Sequence, residues 1–162
     1  MARHLHDAGY SVLVCHTRPP GALGGVSRAH ARLAARLGIP FVRAVVREGR
    51  LSLPARWDDF AKRPDAVVDA LLGTGFSGDT REPFPSLIRT INTLAAHAFI
   101  FSVDIPSGLD GLTGKARPAA ARAHATVTFE AANIGMALPE SLAYTGELHI
   151  RRIGIPTAVR DK

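Results

Sequence analysis

Apolar residues in this chain gather into short runs separated by stretches with helical spacing. The runs Tyr10 to Cys15, Phe41 to Val46, Ala66 to Leu72, Phe99 to Val103, Ala125 to Phe129 and Leu148 to Ile155 have the length and the β-branched and aromatic content of strands. Most are apolar at odd and even positions alike, which suits strands covered by helices on both faces. Between the first two runs, Ser27 is placed to cap a helix whose inner face carries Ala31, Ala34 and Leu37, ended by Gly38 with Pro40 beyond. Between the third and fourth, Leu87, Ile88, Ile91, Leu94 and Ala95 recur as the buried face of a second helix. A shorter helix is expected around Trp57 to Ala61, stopped by Pro64, with Trp57 in the core. Strands alternating with helices predict an α/β fold with a mostly parallel sheet.

At the start, Ala2, Leu5 and Ala8 share one helical face and Gly9 is a suitable terminator, but no capping residue precedes Met1. A helix that feeds an outer strand of a doubly wound sheet normally follows a central strand. None stands before this one, so the fold is expected to be N-terminally truncated.

A chain of 162 residues with 46% hydrophobic content is the size of one domain, 1–162, with one core. No segment reaches the roughly 20 apolar residues that cross a bilayer, and no secretory leader pattern is present. A soluble cytoplasmic protein with no membrane partner is expected. Cys15, the only cysteine, lies in an apolar run, which leaves no disulfide framework and no paired-cysteine metal site. The net charge of +6 comes from arginines spread singly between Arg3 and Arg160, without a basic block or interleaved aromatics. That distribution reads as a solvated surface, not a nucleic-acid face. His4 and His6, two residues apart, would point to different sides of a helix and do not have zinc-ligand spacing.

Candidate chemistry lies in two loops, Asp69 to Asp79 and Asp104 to Asp110, each at the carboxyl end of a predicted strand, where open α/β sheets bind ligands. In the first, Gly73, Thr74, Gly75, Phe76, Ser77, Gly78 and Asp79 include glycines that let backbone amides approach a ligand, and a following helix would aim its positive end toward phosphate. A tight strand-to-helix turn explains the same glycines equally well. In the second, Asp104 is partly desolvated at the end of an apolar strand and is the candidate acid/base. Pro106 fixes the turn, Gly108 removes bulk, and Ser107 offers a hydroxyl to a ligand or hard cation. A helix cap or turn made by Asp104 and Ser107 is the plainer alternative. Asp69 stands inside the apolar run and needs compensation, either from a cation held with Ser107 or from hydrogen bonds.

The segments VVDALLGTGFSG, FSVDIPSGLDGLTG, ATVTFEAANIGMALPE and GELHIRRIGIP, in this order and spacing, resemble the YjeF N-terminal domain family, the NAD(P)HX epimerases. VDIPSGLD is the most distinctive part. The resemblance implies a Rossmann-like three-layer α/β/α sandwich, a bound potassium ion, and interconversion of the R and S forms of NADHX or NADPHX for repair by a partner NAD(P)HX dehydratase. By motif, it implies potassium ligation by Asp69 and Ser107, substrate binding by Gly73 to Asp79, contact of Asp104 with the damaged ring, and a homodimer. It further implies a first strand and a Gly-Pro-Gly-Asn-Asn-Gly-Gly-Asp-Gly loop ahead of Met1, and Asn133 replaces a lysine of many relatives. Severe loss of activity is therefore expected of the chain as written, since a missing central strand leaves two neighbours unpaired against a stability of roughly 5–15 kcal/mol. The alternative is a non-catalytic YjeF-like binding or assembly module. An ordinary dehydrogenase is weaker, because no Gly-x-Gly-x-x-G follows a strand.

Overall fold

Whether an apolar run becomes a strand depends on its finding a partner ladder, and the computed structural model shows which runs do. It describes residues 1–162 apart from 48–49, 53, 55–62, 76–77, 79 and 156–162. The expected helix around Trp57 to Ala61 and the loop positions Phe76, Ser77 and Asp79 lie outside the described residues. The chain divides into two compact units, Met1–Lys62 and Arg63–Lys162.

In the first unit, helix α1 (Ala2–Asp7) ends before Gly9, whose φ of +87° supplies the left-handed turn. Strand β1 (Val14–His16) follows, then α2 (Gly25–Arg36) and β2 (Phe41–Arg43), which pairs parallel with β1. The first strand is shorter than its apolar run, because only Val14 to His16 meet partners on β2 and Tyr10 is 65% exposed. Helix α2 begins two residues before Ser27, at Gly25, with the extended Gly24 as its N-cap, so Ser27 is not its cap. Ala34 is buried as expected, but Leu37, also expected inward, is the exposed C-cap, and the following Ile39 is buried in its place. The run Phe41 to Val46 breaks at buried Ala44, whose N–H donates to the His16 carbonyl. Beyond it β3 (Val45–Arg47) turns back against β4 (Arg50–Ser52) as an antiparallel hairpin. Burial pushes the Cys15 thiol up to about 11, which keeps it protonated and unreactive at neutral pH.

The second unit holds the larger sheet, four parallel strands in the order β5 (Ala66–Asp69), β6 (Phe99–Val103), β7 (Ala125–Phe129) and β8 (Glu147–Arg151). Helix α3 (Phe84–Leu94) buries the expected Leu87, Ile88, Ile91 and Leu94, while Ala95, also expected on that face, is its half-buried C-cap. Ile88 packs with Ala119, Ala121 and Leu71. The Asn92 amide ties the helix to the segment after the second loop, donating to the Ala120 carbonyl and accepting from the Arg122 N–H, each at 2.9 Å. A second cluster joins Ile105, Leu109 and Met136 to Ala132, Tyr144 and Leu148, and includes the end of the short helix α4 (Leu142–Thr145).

Two of these strands end earlier than their apolar runs. β5 stops at Asp69 because side chains take over the next backbone donors: Leu71 N–H turns toward Asp69 Oδ1 and Leu72 N–H donates to Ser107 Oγ. β8 stops at Arg151, after which the amides of Ile153 and Ile155 both donate to Glu130 Oε1 instead of a ladder carbonyl. β5 is also wetter than a strand covered on both faces, with Ala66 and Val68 exposed. The fold is α/β with mostly parallel pairing, as the pattern predicts. No helix among the described residues is long and apolar enough to cross a membrane.

Candidate functional site

Parallel register places the site. Asp69 pairs with Ser102 across β5 and β6, so the last residue of one strand faces the serine one position before the end of its neighbour. The chain after β6 turns at Asp104 and brings Ser107 back over Asp69. Gly108 makes that return possible. Its φ is +87°, and a Cβ there would overlap the Ala119 carbonyl oxygen.

Asp69 is fully buried, as are Ser102 and Ser107. Ser107 Oγ donates to Asp69 Oδ1 at 2.6 Å, while Ser107 N–H and Ser102 Oγ donate to Oδ2 at 2.8 and 2.9 Å. The carboxylate thus receives the hydrogen bonds that a buried charge requires. Ser107 Oγ in turn accepts the Leu72 N–H at 3.0 Å and lies 3.5 Å from the Leu72 carbonyl oxygen. Asp69 Oδ1, Ser107 Oγ and Leu72 O form a group of carboxylate, hydroxyl and carbonyl oxygens, the donor chemistry of a hard cation. Among the described residues no basic side chain forms an ion pair with Asp69. The donor set fits a monovalent cation, and hydrogen bonding already satisfies the carboxylate, so both compensations foreseen for Asp69 are open to it.

Asp104 is different. It is half-buried, adopts a φ of +74° outside the usual range for a non-glycine residue, and its N–H donates to the Val127 carbonyl at 2.7 Å. Among the described residues its carboxylate accepts one bond, from the Thr74 N–H to Oδ2 at 3.3 Å. Gly73 allows the approach, since a Cβ there would stand 3.2 Å from the same oxygen. Thr74 and Gly75 are exposed beside it. An unusual backbone conformation at a polar rim position is the kind of local strain that functional sites store.

The structure therefore brings Asp69 and Ser107 into contact and sets Asp104 against Gly73 and Thr74. It also corrects the surroundings. Helix α3 starts only at Phe84, so its N-terminal turn is not joined directly to the glycine loop. Asp104 and Ser107 cap no helix; they bind the backbone of the other loop. Asp110 closes its own loop, with Oδ1 accepting Leu112 N–H, Thr113 N–H and Thr113 Oγ–H at 2.9–3.0 Å and Oδ2 lying 3.4 Å from Arg117. The backbone and hydroxyl of Thr113, then Leu112, hold its carboxyl below the ordinary range, with a smaller pull from Arg117. Ser102 was missed. A serine in an apolar strand is unremarkable alone, and its role appears only when the register places it opposite Asp69.

The model of the YjeF-related protein N-terminus family matches residues 1–135, a span that contains both loops. The bifunctional NAD(P)H-hydrate repair enzyme Nnr of Pyrobaculum aerophilum is 39% identical over 155 residues, covering 96% of this chain and 30% of that protein. The NAD(P)H-hydrate epimerase of Rhodopirellula baltica is 34% identical over 158 residues, covering 96% of this chain and 60% of that one. The NAD(P)H-hydrate epimerase of Nitrosopumilus maritimus is 43% identical over 103 residues, 64% of this chain and 46% of its own length. The chain thus spans between about a third and three fifths of these curated relatives. Among solved structures, yeast ynu0 superposes with a TM-score of 0.76 over 99% of this chain and 62% of its own, at 18% identity, a likeness of fold alone. On the family match and these sequence identities, the chain belongs to the YjeF-related protein N-terminus family and has its Rossmann-like α/β fold.

Proposed function

We propose that this protein epimerises hydrated NADH and NADPH, with Asp104 as the acid/base. The observation that carries the reading is the Asp104 carboxylate, which among the described residues has one long hydrogen bond, at a strand end beside Gly73 and Thr74. Relatives named NAD(P)H-hydrate epimerase support it. The hydroxyl of the substrate sits on the carbon next to the ring nitrogen. Protonated by Asp104, it departs as water with the C–O electron pair, while the nitrogen lone pair forms a C=N bond and a planar cation. Water then adds to the other face and returns a proton to the Asp104 carboxylate, so the reaction consumes no net reactant. Residues Gly73, Thr74, Gly75, Phe76, Ser77, Gly78 and Asp79 would bind the dinucleotide, with Gly73 and Thr74 beside the carboxylate.

A potassium ion belongs to the same reading. Asp69 and Ser107 supply the oxygens that would hold it, and it would supply a fixed positive charge beside the loop. The two units are read as one domain, because the family match runs through both. A cytoplasmic setting, a homodimer and a partner dehydratase follow from the resemblance and stand with the proposal.

The test follows the R and S epimers of hydrated NADH by chromatography, with and without protein. Interconversion should accelerate with the native sequence and fall about 10²–10⁴-fold with Asp104→Asn, the usual contribution of a positioned acid/base. Equal rates for the two proteins would end the proposal. Binding of hydrated NADH without interconversion would establish the non-catalytic binding module in its place.

A further inference from the structure

Ser107 has one hydroxyl proton and two acceptors within reach. Asp69 Oδ1 lies at 2.6 Å and the Leu72 carbonyl at 3.5 Å, while one of the oxygen's lone pairs accepts the Leu72 N–H at 3.0 Å. With no cation present, the short distance assigns the proton to Asp69. A cation shared by Asp69 Oδ1 and Ser107 Oγ needs the oxygen lone pairs on that side, where the proton would otherwise point. Ser107 is fully buried, so no bulk water can take the proton instead. The remaining acceptor is the Leu72 carbonyl.

We infer that Ser107 is a two-position relay through which a monovalent cation at Asp69 orders the substrate loop. The inference rests on the cation of the proposed function and extends it. With the hydroxyl turned, one side chain holds both the N–H and the carbonyl of Leu72, and the loop is pinned two residues before Thr74. Thr74 N–H reaches Asp104 Oδ2 at 3.3 Å, a bond long enough to tighten. Ser102 Oγ and Ser107 N–H keep Asp69 Oδ2 occupied throughout, so the carboxylate does not swing and Oδ1 is the oxygen offered to the ion. Ser107 acts here as a positioning residue, distinct from any contact with substrate.

Hydrogen–deuterium exchange of the segment 70–75 reads the relay without reference to turnover. In potassium chloride, exchange at Leu72 and Thr74 should be about fivefold slower than in lithium chloride at equal ionic strength, the lower end of ordinary coupling between sites. In Ser107→Ala the two salts should give the same rates, with the circular dichroism of the native protein. Equal rates in both salts for the native sequence would overturn the relay, as would a potassium effect that survives in folded Ser107→Ala. If that variant does not fold, the comparison of salts in the native protein decides alone. Protection without epimerisation would refute the proposed reaction and leave the relay standing; epimerisation without protection would do the reverse.

Discussion

Asp69 ends one strand and Asp104 follows the end of the parallel strand beside it, yet their surroundings differ in almost every respect. Asp69 lies in ordinary strand backbone, is fully buried and accepts three bonds of 2.6–2.9 Å from two serines. Asp104 holds a left-handed backbone, is half-buried and, among the described residues, accepts one bond of 3.3 Å. The first arrangement spends the carboxylate's acceptor capacity inside the protein. The second keeps most of it for something outside. Two carboxylates at equivalent rim positions are thus separated into a foundation and a reactive group by the donors placed around them, serines beneath one and a glycine turn beside the other.

The same substitution at both positions gives the widest test of that separation. Asp69→Asn removes the charge and leaves one acceptor oxygen: with its N–H₂ toward Ser102 Oγ–H and Ser107 N–H donor faces donor, and with its N–H₂ toward Ser107 Oγ that hydroxyl must give up residue 69 for the Leu72 carbonyl at 3.5 Å. At about 1–3 kcal/mol for each buried donor left without an acceptor, the loss should be about 3 kcal/mol. Asp104→Asn keeps an oxygen for Thr74 and a residue type that tolerates positive φ, so it should cost less than about 0.5 kcal/mol. Urea denaturation of the two variants measures both values. Equal losses would erase the distinction between the two sites.

Ser102→Ala sharpens the comparison at lower cost. It removes one of the two donors on Asp69 Oδ2 and leaves Ser107 N–H in place, for an expected loss of about 2 kcal/mol, typical of a hydrogen bond to a charged group. Its denaturation midpoint should fall between those of Asp104→Asn and Asp69→Asn. A midpoint at the native value would mean that Ser107 holds the carboxylate unaided.

How much of this was legible beforehand varied with the length of the pattern. Strands β6 and β7 appear at their expected bounds, and α3 buries its expected face, because each is long enough for periodicity to outweigh local exceptions. Bounds failed at β1, β5 and β8, where apolar residues continue past the last ladder partner and the next amides find side chains instead. The region between β7 and β8 folds into the short turns Ile134–Ala137 and Pro139–Ser141 and the four-residue helix α4, none long enough to leave a period in the sequence. At the site, Asp69 and Ser107 were recognisable as motif members, and the structure puts them in contact. Ser102 and the Leu72 backbone were not, because their parts come from register and from a chain reversal that one-dimensional spacing does not encode.

Asp110 extends the comparison to a third carboxylate, which stabilises its loop through charge without being buried by it. The amides of Thr113 and Leu112 and the Thr113 hydroxyl favour its ionised form, so its pKa in the folded protein is depressed below the ordinary 3.8. A depressed folded value makes the carboxylate's contribution fully present above the unfolded pKa and removes it as pH falls through the folded one. The stability difference between the native protein and Asp110→Asn should therefore be constant from neutral pH to about pH 5 and shrink as pH falls below 3.8. Urea midpoints of both proteins across that range provide the measurement. The opposite trend, a difference that grows on acidification, would mean that the loop is held by the shape of residue 110 and that its charge opposes folding.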